Sequence, residues 1–66
     1  MLTWNPDSIQ YVNVPGTDID LMYAEGSCLD ADTLPTDGIY NGSNVLVMDK
    51  SIVKAFDQAS KQWKAL

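Results

Sequence analysis

Histidine and arginine are absent from this 66-residue chain, cysteine occurs once, and no lysine appears before Lys50. Each shortage closes a class of function. Without histidine there is no Ser-His-Asp or Cys-His set for nucleophilic hydrolysis, and no glycine-rich phosphate loop with its lysine is present, so no enzyme activity is expected. Cys28 has no second cysteine with which to form a disulfide within the chain, and with neither histidine nor another thiolate it cannot complete a structural zinc site. No neighbouring base or cation activates its thiol. Long hydrophobic runs are also missing: the longest aliphatic stretch is residues 45–48. Neither a membrane span nor a signal peptide is expected, and an unpaired cysteine fits a reducing compartment.

What cations there are sit at one end. Residues 1–48 carry seven carboxylates and no cation, a charge of −7, whereas four lysines against Asp49 and Asp57 give residues 49–66 a charge of +2. The total of −5 and a pI near 4.1 exclude binding through nucleic-acid phosphates, which requires clustered basic side chains. The uneven charge suits contacts between copies, although exposed acidic groups also serve solubility alone.

A hydrophobic content of 45%, with two Trp, three Tyr and one Phe, is that of a folding chain. At this length a single small domain buries only about 60% of the surface that its unfolded chain exposes. Disulfide and zinc being unavailable, support from another copy or a larger surface is expected.

The pattern along the chain predicts a mainly β fold. Residues 8–14 are β-branched and aromatic, with Ile9, Tyr11 and Asn13 on one face and Val12 and Val14 on the other. Pro15-Gly16-Thr17-Asp18 punctuates, and Ile19, Leu21 and Tyr23 share a side by period two, so a hairpin is expected. Residues 24–43 are rich in Gly, Ser, Asp, Thr and Pro and read as a long surface loop that runs over a neighbour, anchored by Cys28 and Leu29 at its start and by Leu34 and Ile39 at its end. Asn41-Gly42-Ser43 matches a glycosylation acceptor but is read as a tight turn. An aliphatic strand follows.

Residues 51–66 support two readings. Ile52, Phe56, Ala59, Trp63 and Leu66 recur at the spacing of an amphipathic helix, in which Asp57 and Lys61 would pair at i,i+4, giving an α+β alternative. Against this, Asp49-Lys50-Ser51 and residues 57–61 read as turns between strands. The result would be a three-stranded meander in which Phe56 and Trp63 form a cross-strand aromatic pair and Asp57 caps the turn between them.

The string Leu34-Pro35-Thr36-Asp37-Gly38, Asn41-Gly42-Ser43, Met48-Asp49, Phe56-Asp57 and Lys61-Gln62-Trp63 resembles a β-meander module of small tailed-bacteriophage and prophage virion proteins of head, head-fibre or decoration type. The likeness covers residues 34–66. It departs from the family pattern at Asp49-Lys50-Ser51, where Asp-Thr-Gly-Lys is usual, and at Lys54-Ala55, where a large residue is common. Residues 1–33 carry no such likeness and are read as a hairpin and partner-contact segment. The resemblance implies a non-enzymatic structural protein of the virion, without cofactor, assembled in the host cytoplasm. Its partners would be the major capsid or another virion protein, together with copies of itself, with no nucleic acid and no membrane.

Trp4, Tyr23, Leu29 and Leu34 are the candidate partner contacts; Trp4 stands out because an ordered aromatic near a chain end needs a pocket to fill. The other reading is a small acidic phage-encoded regulator or inhibitor of a host protein, resting on the −7 charge of residues 1–48. Asp30, Asp32 and Asp37 superficially suggest a calcium loop, but Leu34 and Pro35 fall at ligand positions and no Glu closes it, so no metal site is expected.

Overall fold

A computed structural model describes residues 1–66 and contains seven strands and one 3₁₀ turn: β1 (Thr3–Trp4), the turn Pro6–Ser8, β2 (Gln10–Asn13), β3 (Asp20–Tyr23), β4 (Glu25–Cys28), β5 (Asn44–Val47), β6 (Ile52–Asp57) and β7 (Gln62–Ala65). The main sheet has the order β1-β4-β5-β6-β7, and β2 and β3 form a separate two-stranded sheet. The fold is mainly β, with the expected hairpin and the expected meander.

Local chemistry explains the hairpin. Pro15 and Gly16 occupy the central positions of a type II turn: Gly16 has φ +80, which only glycine takes without strain, and the Thr17 N–H donates to the Val14 carbonyl at 3.1 Å. The register sets Val12 beside Leu21 and Gln10 beside Tyr23, so Val12, Leu21 and Tyr23 share one face and Tyr11 and Asn13 the other.

The helical reading of residues 51–66 is overturned. β6 pairs antiparallel with both β5 and β7, Ala59 lies in the connecting turn, and Leu66 is exposed. The Asp57–Lys61 pair of that reading does not form: Lys61 lies 3.8 Å from Asp37, and Asp57 takes Lys64 at 2.8 Å. Helical periodicity misled because Ile52 and Phe56 are four apart, an even number that also places them on one face of a strand. Trp63 then reaches the same face across the turn, opposite Phe56.

The reading of residues 24–43 as one loop over a neighbour is also corrected. β4 falls inside it and lies between β1, antiparallel, and β5, parallel, so both halves of the chain share one sheet. The remaining loop, residues 29–43, folds over the chain's own sheet: Leu34 packs against the buried cluster of Cys28, Val45 and Val47, and the Trp63 indole N–H donates to the Pro35 carbonyl at 2.8 Å. Cys28 and Ile39 are buried anchors, but Leu29 is exposed and anchors nothing.

β3 continues into β4 through Ala24. At this bend the buried Ser43 hydroxyl accepts from the Ala24 N–H and donates to the Met22 carbonyl, both at 3.2 Å. It joins the hairpin to the main sheet and satisfies the buried Ala24 N–H, while the Met22 carbonyl also accepts from the Tyr40 N–H at 2.8 Å.

The core is thin. Seven of 66 residues are buried, and the Cα extents are 40 × 26 × 17 Å. The radius of gyration of 11.8 Å exceeds the roughly 10.8 Å expected of a compact domain of this length. The molecule is a sheet covered on one face by a loop.

Candidate interaction surfaces

Alternation along the strands divides the main sheet into two unlike faces. The inward face carries Cys28, Val45, Val47 and Phe56, all buried, together with half-buried Trp4, Ile52 and Trp63. Phe56 and Trp63 are cross-strand neighbours with ring centroids 5.2 Å apart at 54°, and Trp4 adds a third ring 6.4 Å from Trp63. Tilted rings at these distances contribute about 0.5–1.5 kcal/mol per pair beyond area burial.

Trp4 is therefore held within the chain. Its strand partner is Gly26, and a Cβ built on Gly26 would lie 2.6 Å from the Thr3 carbonyl oxygen and 2.8 Å from Trp4 Cε3. The absent side chain makes the seat on which the indole lies. Tyr23 ends β3, half-buried with its ring beside Gly42; Leu34 is half-buried under the loop; Leu29 is exposed at the end of β4. The four candidate contacts do not converge on one surface, and of them Leu29 is the freest to touch a partner.

The outward face is apolar at its centre as well. Leu46 and Val53 are cross-strand partners on it, and Met48 lies one alternation beyond Leu46; these are 42%, 36% and 58% exposed. The signal was readable: in Asn44-Val45-Leu46-Val47-Met48 the positions that alternate with buried valines are apolar, where a solvated face would carry polar residues.

A third surface is the hairpin arm with the segment leading into it. Tyr11 and Ile19 are exposed on it. Asp7, Asp18 and Asp20 on it, like Glu25 in β4 and Asp49 in the β5–β6 turn, enter none of the chain's ion pairs, whereas Lys54, Lys61 and Lys64 each face a carboxylate. Three of the five unpaired carboxylates thus lie on the arm and its lead-in.

The other carboxylates have local duties. Asp57 accepts from the Ala59 N–H, the Ser60 hydroxyl and Lys64, capping the β6–β7 turn, and the Lys64 and Ser60 contacts hold its pKa below the usual carboxylate range. Asp32 is lowered likewise, first by the Leu29 N–H at 2.8 Å and then by the terminal ammonium at 2.9 Å. Asp30 turns to Lys54 and Asp37 to Lys61, so the three residues of the superficial calcium pattern point to separate partners. Burial raises the Cys28 thiol above its ordinary pKa, with the Asp32 charge adding to the effect, and the side chain packs in the core with Val45 and Val47. The one cavity, about 110 Å³ beside Ile39, Phe56 and Lys61, is well below the size of a small-molecule site.

Comparison with protein-family models, curated proteins and solved structures returns no match to this chain.

Proposed function

We propose that this protein is a non-enzymatic structural component of a bacteriophage virion, a head-associated or decoration protein that acts by occupying a site in an assembly. The observation that carries this reading is the one-sided sheet: its inward face is closed by the chain's own loop, while its outward face presents Leu46, Met48 and Val53 to solvent. A domain this thin gains most from burial supplied by neighbours. The resemblance of residues 34–66 to phage virion modules gives that assembly its identity as a particle head. The uncompensated carboxylates of the hairpin arm orient the chain on a capsid surface of opposite charge.

The test is cosedimentation of the purified chain with heads of the encoding phage from which it has been stripped or deleted. Saturable binding that survives moderate salt supports the reading, and absence of binding at any salt refutes it. The same charged arm favours a second reading, a regulator that docks on a basic surface of a host protein. Binding governed by the arm alone would fall steeply as ionic strength rises, and neutralising Asp18 and Asp20 would abolish it.

A further inference from the structure

The outward sheet face has a layout that complements itself. Register lines up two transverse rows on it. One runs Ser27, Leu46, Val53 and then Leu66, whose N–H donates to the Val53 carbonyl at 2.9 Å and so extends the row past β7. The other runs Glu25, Asn44, Ala55, Lys64. The first row is apolar at its centre; the second has an acid at its β4 end and a base at its β7 end.

Two sheets packed face to face lie about 10 Å apart with strands nearly aligned. A twofold axis parallel to the strands, between β5 and β6, exchanges β4 with β7 and β5 with β6. It sets Leu46 of each copy over Val53 of the other, and Glu25 of each over Lys64 of the other. A twofold perpendicular to the strands instead sets Glu25 over Ser27 and Lys64 over Leu66, covering the Glu25 carboxylate without a partner. We infer that two copies of this chain pair face to face through the outward sheet surface about the first of these axes, with Leu46 and Val53 at the centre and Glu25–Lys64 pairs at the rim. Glu25 takes part in none of the four ion pairs within the chain, and the Lys64 ammonium keeps donors to spare beyond its bond to Asp57.

The size of the face sets the strength. Four strands about 4.8 Å apart and four to six residues long present roughly 300–400 Å² per copy, below the ~800 Å² per partner of standard complexes. The pair belongs to the weak, transient class of interface. This inference is independent of where the protein resides.

Sedimentation equilibrium of the full chain from about 5 μM to about 1 mM tests it. A monomer–dimer equilibrium is expected, weakened more than tenfold by Leu46→Lys and about tenfold by Glu25→Lys or Lys64→Glu alone, with the double reversal returning to within about threefold of the original. A monomer throughout, a dimer indifferent to Leu46→Lys, or a double reversal as weak as the single ones overturns it. Near-UV circular dichroism checks that each variant is folded. If Lys64→Glu loses its fold with the Asp57 bond, the comparison of Glu25→Gln with Glu25→Lys decides: the second must weaken pairing more. A monomer that nevertheless cosediments with phage heads overturns the pairing and leaves the assembly reading standing.

Discussion

Replacing Gly26 with alanine separates strand propensity from packing, because the two predict opposite signs. Gly26 sits inside β4 without a positive φ, and in a strand interior a glycine costs roughly 0.5–1 kcal/mol relative to alanine through chain entropy. On that ground alone Gly26→Ala stabilises. The structure says otherwise. The added methyl would stand 2.6 Å from the Thr3 carbonyl oxygen and 2.8 Å from Trp4 Cε3, against an ordinary contact of about 3.5–4.0 Å. The nearer obstacle is backbone, so β1 must move away by close to an ångström, taking Trp4 off its seat and away from Trp63. Overpacking of this kind costs about 1–3 kcal/mol. With a total stability of roughly 3–10 kcal/mol for a chain of this length, the loss is large, and the melting temperature falls by about 4–8 °C for each kcal/mol. Urea unfolding followed by tryptophan fluorescence gives the sign directly. An unchanged or raised midpoint would refute the close packing of β1 on β4 and with it the intramolecular role of Trp4.

Ser43→Ala leaves the buried Ala24 N–H without an acceptor and should cost about 1–3 kcal/mol in the same assay; a loss under about 0.5 kcal/mol would show that the bend between hairpin and sheet does not depend on that hydroxyl. Ser51 holds φ +53 in the β5–β6 turn, so Ser51→Gly should raise stability by about 0.5–1 kcal/mol, read as a higher urea midpoint; a lower midpoint would contradict the strained turn. The Asp57 pKa is lowered in the fold, so its contribution is present above the unfolded value of about 3.9 and is lost as pH falls through the folded one. Wild type should therefore exceed Asp57→Asn in stability near neutrality and the difference should close as pH falls below the usual carboxylate range; a difference constant with pH would show that the charge of Asp57 plays no part.

The strands that were legible in the sequence carry their own signals. β2, β3, β5 and the meander turns combine β-branched alternation with Pro15-Gly16, Asn41-Gly42 and the Asp57 cap, each of which acts over a few residues. β4 is different: Glu25-Gly26-Ser27-Cys28 has little intrinsic strand preference, and it is a strand because β1 and β5 bind it from both sides. Gly26 reads as a breaker in sequence and is a packing device in the structure. β1 has only two residues, too few for any period to show. Of the surfaces, Phe56 facing Trp63 followed from the turn between them. The seat of Trp4 could not be foreseen, because Gly26 lies far from it along the chain. The apolar outward face was written in Leu46, Met48 and Val53, once alternation places Val45 and Val47 inside.

The proposed place in a phage particle is tested most directly by quantitative mass spectrometry of washed virions, with the copy number of this chain taken relative to the major capsid protein. A head or decoration protein that meets neighbours through its open sheet face should be present in tens to hundreds of copies per particle. A dozen or fewer would move it to a portal, neck or tail ring, and absence from washed particles would contradict the structural role and favour the acidic regulator.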